Sequence, residues 1–230
     1  MDPWVFGESP LPETVEFAAA VRDLMCTVLS LERPSREVQE LTRLLRAARQ
    51  RLAGEMPPDL WPRVGADPRP EQRVYLDHSR DVGRYNACFP HYEMSVTDER
   101  GEGTVDFPLL YEGPPGIVHG GFLALLFDCV LQQLNCDLGA AGKTRSLSMR
   151  YRRPAPILTP LRFTAARTIG DGNIVATGEL FRGDELLCQA EMHAVLGDRA
   201  ALPAASPRRR QRATASPVSR RAASDPSSQT

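Results

Sequence analysis

The feature that most constrains this chain is an apolar stretch, residues 122–134, which follows a turn rich in glycine and proline at 113–116. Proline disfavours helix before the stretch, and Gly116 marks the turn. The apolar residues then recur on more than one helical face, as in a helix buried in a protein core. We therefore predict a buried central helix over residues 119–135.

One carboxylate, Asp128, lies in the middle of this helix, although burial of an unpartnered carboxylate is costly. At the start of the helix, the N–H groups of Gly120 and Gly121 should be unpaired and able to bind an anion or a developing oxyanion. Asp128 lies roughly 12 Å along the axis from Gly120. One small group cannot touch both within one chain, so their cooperation predicts a site shared across a two-fold homodimer. The sequence leaves both a dimer and a tetramer of such dimers as alternatives.

The rest of the pattern predicts an antiparallel sheet around this helix. Alternating side chains and tight turns, such as Asp171-Gly172, mark the strands, with residues 98–103 as a turn. The predicted strands span residues 92–96, 104–111, 143–153, 161–169, 173–181 and 186–196. Two strands, a buried helix and four further strands predict an α+β fold.

The chain divides into three parts. Helical spacing over 13–31 and 38–52, with Ser35 as a helix cap, predicts an N-terminal helical and irregular extension over residues 1–90. The sheet and the central helix form the domain at 91–197. Residues 198–230 are rich in Arg, Ser and Pro and cannot bury enough apolar area to offset their ordering entropy, so we predict a disordered tail.

The turn His119-Gly120-Gly121, with Asp128 nine residues after the histidine, resembles the hotdog-fold acyl-CoA thioesterases. Within them it is most similar to the phenylacetate-pathway (PaaI-like) enzymes and those like thioesterase superfamily member four. Tyr-Glu-Gly-Pro-Pro-Gly at 111–116 and the spacing of Thr144 from Tyr-Arg-Arg-Pro at 151–154 agree with that branch. The resemblance covers roughly residues 92–196 and implies a curved antiparallel sheet wrapped around the central helix.

The resemblance implies hydrolysis of an acyl-CoA or acyl-carrier thioester. On this hypothesis the Gly120 N–H polarises the carbonyl, with the Gly121 N–H as a lesser candidate, and His119 orients the turn or contacts the thioester. Asp128 of the partner chain activates water as a general base or attacks directly to give an anhydride. Thr144 matches the Ser or Thr that positions the water in relatives.

Substrate contacts are predicted around the same turn. Arg150, Arg152 and Arg153 are candidates for the phosphates of coenzyme A, and apolar residues of the helix for the acyl group: Phe122, Leu125 and Leu126. Some relatives carry an Asn six residues before the histidine, where this chain has Gly113; the adjacent Glu112 is then a candidate second carboxylate. No metal or cofactor is predicted.

Two other functions are compatible with such a domain. It could bind acyl-CoA without hydrolysis, as a sensor or assembly module; Asp128 argues against this, and the added N-terminal helices argue weakly for it. A hydratase is disfavoured because His119 lies at the turn rather than downstream of Asp128.

Composition narrows the class of partner and the compartment. The 28 basic and 29 acidic residues nearly cancel, which does not favour nucleic acid. We find neither an apolar run long enough to span a membrane nor a secretory signal, and the five cysteines lack CxxC spacing. We therefore expect a cytoplasmic protein with free thiols.

Overall fold

The computed structural model describes residues 4–6, 12–55, 73–75, 82–137 and 142–196. In chain order, the helices and strands are β1 (Trp4–Phe6), α1 (Pro12–Leu29), α2 (Arg36–Ala53), β2 (Arg73–Tyr75), β3 (Tyr92–Thr97), β4 (Arg100–Val105), α3 (Gly120–Asp137), β5 (Gly142–Tyr151), β6 (Leu161–Gly170), β7 (Asn173–Arg182) and β8 (Glu185–Leu196). β1 and β2 form a short parallel pair.

The six strands β3 to β8 form one curved antiparallel sheet in the order β3-β4-β6-β7-β8-β5. Helix α3 lies against one face of the sheet and contacts β3 and β5 to β8. The core is formed where they meet, and its fully buried side chains include those of Leu126, Phe127, Val130, Leu131 and Leu134 on the helix. The predicted α+β fold, with its central apolar helix, is thereby confirmed.

Gly178 on β7 brings the helix and the sheet unusually close together. A Cβ atom placed on this residue would lie 2.4 Å from Cε1 of Phe127. The ring of Phe127 therefore occupies the space that any larger residue at position 178 would need, which explains a glycine inside a central strand.

The prediction of a strand over residues 104–111 is wrong in its position. The strand is β4, which begins at Arg100, and the chain leaves it after Val105 to form a short 3-10 turn at Leu109–Tyr111. Residues 100–103, predicted as part of a turn, instead pair with β3. Gly103 is needed there because a Cβ atom would overlap the Glu93 carbonyl oxygen and the Phe163 ring.

The two predicted N-terminal helices are present as α1 and α2. Helix α1 is held to the domain by its buried residues Ala18 and Arg22, and the Arg22 guanidinium donates to the Gly83 carbonyl oxygen. Every residue of α2 is at least partly exposed, and Ser35 occupies the position before it without a side-chain capping bond. The predicted tail, 198–230, and most of residues 56–81 lie outside the described residues, and the division of the chain into three parts stays a prediction.

None of the helices in the described part of the chain is both long enough and apolar enough to cross a membrane. All five cysteines are free thiols, as predicted.

Candidate active site

The turn that leads into α3 is held by its own backbone. The Gly113 N–H donates to the Ile117 carbonyl oxygen at 2.8 Å, and the His119 N–H donates to the Tyr111 carbonyl oxygen at 2.9 Å. The Glu112 carboxylate accepts a hydrogen bond of 2.6 Å from the N–H of Gly116, which has a positive φ of 76°. The candidate second carboxylate therefore braces the turn.

Close packing of the turn explains why this chain has Gly113 where some relatives carry an asparagine. A Cβ atom on Gly113 would lie 2.8 Å from Cα of His119, closer than such atoms can approach. The backbone at Gly113 therefore contacts the backbone at His119, and the observed conformation leaves no space for a side chain at position 113.

The start of α3 leaves one donor available. The Gly121 N–H donates to Nδ1 of His119 at 3.0 Å, and the Phe122 N–H donates to the His119 carbonyl oxygen at 2.9 Å. The expectation that both glycine N–H groups are unpaired is therefore wrong for Gly121, because the histidine ring caps it. Among the described residues, the Gly120 N–H has no hydrogen-bond acceptor, so it is the group able to bind an oxyanion.

Tyr151, at the end of β5, covers Gly120. Its hydroxyl donates to the Gly120 carbonyl oxygen at 2.9 Å. A Cβ atom on Gly120 would meet the Tyr151 ring at 3.2 to 3.4 Å. Partial burial, and to a lesser extent the nearby Cys188, raise the pKa of Tyr151, which keeps the hydroxyl protonated as a donor. The tyrosine was recognised in the sequence as a motif residue, but this contact was not predicted.

Asp128 and Thr144 meet on the other side of the site. The Thr144 hydroxyl lies 3.4 Å from Oδ1 of Asp128 and 3.8 Å from Sδ of Met192. Asp128 is half-buried and Thr144 is exposed, so this pair can be reached from solvent. The Gln132 amide donates to the Thr144 hydroxyl at 2.6 Å. Gln132 was not predicted as a site residue, although its place four residues after Asp128 in an apolar helix was a signal.

A β-bulge turns Thr144 toward the helix. Thr144 pairs with Ala194 and Ser146 with His193, so Arg145 is an extra residue in β5. Ala194 is buried, whereas His193 is exposed. In a regular strand, Thr144 would share the exposed face of Ser146; the extra residue puts it on the face that meets α3.

Two of the three arginine candidates have side-chain partners at the surface of the protein. Arg152 donates through Nε and Nη2 to Oε1 of Gln189, and the exposed Arg153 lies 3.8 Å from Glu185. Arg150 lines a groove of about 980 Å³ on the sheet face turned away from α3. This groove contains neither Gly120 nor Asp128, and its residues are mostly polar.

The apolar candidates differ in burial. Leu126 is fully buried in the core, whereas Phe122 and Leu125 are half-buried. The Phe122 ring packs edge-on against Tyr111, with ring centroids 4.9 Å apart. Of the three, Phe122 and Leu125 are therefore the residues still accessible to an acyl group.

The site residues thus form two separate groups within one chain. Tyr151, Gly120 and His119 surround the start of α3. Asp128 and Gln132 lie further along the same helix, beside Thr144 of β5. Their positions on α3 separate the two groups by roughly 12 Å along the axis. Neither group alone contains both an oxyanion donor and a base.

The chain is similar to a protein of the thioesterase superfamily known from a crystal structure. The two share 29% identity over 82% of this chain and 94% of the other, with a TM-score of 0.65. No family model matches the chain. Together with the sheet and the helix described above, this similarity confirms the resemblance predicted from the His-Gly-Gly turn.

Shorter matches include a phenylacetic acid degradation-related protein from Ralstonia eutropha, with 24% identity over 46% of this chain and 84% of the other and a TM-score of 0.43. A hypothetical thioesterase from Streptococcus pneumoniae, in a crystal structure with coenzyme A, shares 20% identity over 46% of this chain and 88% of the other, with a TM-score of 0.44.

Proposed function

We propose that this chain, which has the hotdog fold of the thioesterase superfamily, hydrolyses an acyl-CoA or acyl-carrier thioester to a free acid and a thiol. The observation that carries the proposal is the pair of complementary groups on α3. One is the Gly120 N–H at the helix start, which has no acceptor in the part of the chain that the structure describes. The other is a solvent-accessible carboxylate, Asp128, beside a hydroxyl. An oxyanion donor and a base are what hydrolysis of an acyl bond requires.

In this proposal the Gly120 N–H binds the thioester oxygen as negative charge develops on it, supported by the positive end of the helix dipole. Asp128 takes a proton from a water molecule while the water oxygen bonds to the carbonyl carbon. The tetrahedral intermediate then collapses, the carbon–sulfur bond breaks, and the thiolate leaves and is protonated. Direct attack by Asp128 through an anhydride is the alternative route to the same products.

A two-fold dimer would bring the two groups together. β5 is an edge strand, paired with β8 on one side, and an edge strand can pair with another copy. Thr144 lies near one end of β5, beside Asp128, whereas Tyr151 lies at the other end, over Gly120. If the β5 strands of two copies paired antiparallel, with the two-fold axis at the middle of the strand, each Asp128 would lie near the partner's Gly120. This arrangement supports a shared site.

Coenzyme A would approach along the exposed side of β5. Arg152 and Arg153 are exposed, and their present partners are the Gln189 amide oxygen and the Glu185 carboxylate, 3.8 Å from Arg153. A phosphate would offer them stronger, charge-assisted hydrogen bonds. Phe122 and Leu125 would contact the acyl group.

The test is release of free thiol from short, long and aromatic acyl-CoAs by wild type, Asp128→Ala and Asp128→Asn. We expect turnover by wild type and a loss of about 10²-fold or more in both variants, as for a lost base or nucleophile. Asp171→Asn is the matched control: the same change in an exposed hairpin turn, where Asn tolerates the positive φ of 48°. Full activity of Asp128→Ala would refute the role of Asp128.

A chain that binds acyl-CoA but releases no thiol from any member of the panel would instead be a binding module. An enoyl-CoA substrate consumed without thiol release would indicate a hydratase.

Complementation tests the shared site separately. Gly120→Pro removes the N–H while proline remains compatible with the first position of a helix. Mixtures of inactive Asp128→Asn and inactive Gly120→Pro chains should recover up to about a quarter of wild-type activity, because half of the dimers are mixed and each has one intact site. Absence of any recovery after verified subunit exchange would place both groups of a working site in one chain.

A further inference from the structure

Gln132 is a buried polar side chain beside the proposed site. It lies four residues after Asp128 on α3, hence on the same face of the helix, and it is only 7% exposed. Its Nε2 lies 2.6 Å from the Thr144 hydroxyl oxygen, whereas Oδ1 of Asp128 lies 3.4 Å from that oxygen. The amide is therefore the closest polar neighbour of the hydroxyl.

The direction of the hydrogen bonds follows from the orientation of the Gln132 amide, which presents its nitrogen to Thr144. An amide nitrogen can only donate, whereas a hydroxyl has one proton and two acceptor lone pairs. Because the Gln132 amide occupies a lone pair of Thr144, the hydroxyl proton is left for an acceptor such as Asp128. With the amide reversed, its oxygen would take that proton, and Thr144 would present only lone pairs to an ionised carboxylate.

We propose that Gln132 is a positioning residue that acts through Thr144 on Asp128. The Thr144 O–H, held in direction by Gln132, occupies Oδ1 of Asp128 and leaves Oδ2 for the water or the thioester carbon. The 3.4 Å separation is longer than a firm O–H···O bond, so the hydroxyl can also turn onto the reacting water. The inference rests on the proposed thioesterase function and adds to it a residue that orients the base.

The primary test compares Gln132→Leu with wild type in thioester hydrolysis. We expect kcat to fall about 10-fold, the effect of losing one buried hydrogen bond, with KM unchanged within about two-fold. Gln133→Leu is the matched control. Gln133 is also buried on α3, but its Oε1 accepts a hydrogen bond of 2.6 Å from the Tyr92 hydroxyl instead. This control should lower the midpoint of urea unfolding and leave kcat unchanged.

Gln132→Glu supplies a readout that a merely structural role would not change. An ionised carboxylate at this position accepts the Thr144 proton and turns the hydroxyl away from Asp128. A protonated one can donate in place of the amide. Because burial beside Asp128 disfavours a second negative charge, the ratio of variant to wild-type kcat should rise as pH is lowered across the range in which wild type stays active. A ratio independent of pH, with kcat reduced, would overturn the positioning role.

A double-mutant cycle with Thr144→Val completes the test. If Gln132 acts through the hydroxyl, Gln132→Leu should cost nothing further in kcat once the hydroxyl is absent. Equal losses in both backgrounds would overturn the inference. Gln132→Met, which keeps the straight side chain, replaces the leucine variant if the latter does not fold.

Failure of this inference is distinguishable from failure of the proposed function. If wild type hydrolyses thioesters and Asp128→Asn does not, but Gln132→Leu matches wild type, the inference about Gln132 alone is wrong. If wild type releases no thiol at all, the thioesterase proposal fails, and the positioning role fails with it.

Discussion

The Tyr151 hydroxyl donates a hydrogen bond of 2.9 Å to the carbonyl oxygen of Gly120, the residue whose own N–H is the proposed oxyanion donor. This contact ties the end of β5 to the first residue of α3. It thereby holds the Gly120–Gly121 peptide unit, which adjoins the unit that carries the Gly120 N–H, in a fixed direction relative to the sheet.

Tyr151→Phe should remove this hydrogen bond and keep the ring over Gly120. We expect kcat to fall about two- to tenfold with little change in KM, because one hydrogen bond of modest net strength is lost. Steady-state kinetics check this expectation. Tyr92→Phe is the control, since it removes a buried tyrosine hydroxyl that contacts Gln133; it should affect stability alone. Equal kcat values for Tyr151→Phe and wild type would contradict the expectation.

Gly120→Pro and Gly120→Ala separate the N–H from the shape of the turn. Alanine adds a Cβ at 3.2 to 3.4 Å from the exposed Tyr151 ring, which can shift slightly, and it keeps the N–H. Proline removes the N–H. We expect a loss of about 10²- to 10³-fold in kcat for proline and a much smaller loss for alanine. Similar losses in the two variants would mean that shape, not the donor, matters at this position.

Glu112→Gln tests whether Glu112 is a catalytic carboxylate or a brace of the turn. Glutamine keeps an acceptor for the Gly116 N–H, so a structural Glu112 predicts nearly unchanged kcat. Glu112→Ala should loosen the turn and reduce activity. A loss of about 10²-fold in the glutamine variant would instead assign Glu112 a direct chemical role.

Alkaline pH should destabilise the fold through Cys188. Burial raises the pKa of this thiol from its ordinary value of 9.0 to about 12. The unfolded chain loses the proton first, so the stability that the neutral buried thiol contributes is fully present below pH 9 and is lost as pH rises toward 12. Chemical unfolding at a series of pH values measures this loss.

Cys188→Ala is the control for that series. The midpoint of its chemical unfolding should be lower than that of wild type at neutral pH, because a cavity forms. That midpoint should fall less steeply than the wild-type midpoint above about pH 9. Parallel curves for the variant and wild type would show that other groups dominate the alkaline response.

Gly178→Ala should destabilise the chain by about 1–3 kcal/mol, because the new Cβ would overlap the Phe127 ring at 2.4 Å. Urea unfolding measures the change. Adding Phe127→Leu, which removes the crowded part of the ring, should recover part of the loss if the clash is its cause. A double variant less stable than either single variant would indicate a different origin.

The sequence predicts this fold well wherever a repeated pattern carries the information. The central helix, predicted over 119–135, is Gly120–Asp137, and the four strands after it match within two residues at each end. In these elements the apolar residues recur at regular spacing, and glycine or proline lies at the ends. The strand at 104–111 was misplaced because Gly101 and Gly103 resemble turn residues, although their role is close packing against β3 and β6.

The site was only partly predictable for a related reason. The Gly120 N–H follows from helix geometry, and Asp128 is recognisable as the one carboxylate of the apolar stretch 122–134, although it is half-buried in the structure and not fully buried. The contacts of Gln132 and Tyr151, in contrast, depend on how α3 lies against β5. The capping of the Gly121 N–H by the His119 ring depends on a side-chain conformation, which spacing does not specify.

The bulge at Arg145 has a consequence for tracing the ancestry of this strand. Thr144 faces the helix because β5 contains one extra residue, Arg145, and not because of the residue types at these positions. A homologous strand without the extra residue has to be aligned with a one-residue gap at Arg145. Without that gap, Thr144 would be matched to a surface residue, and a protein that retains the hydroxyl would be counted among those that lost it.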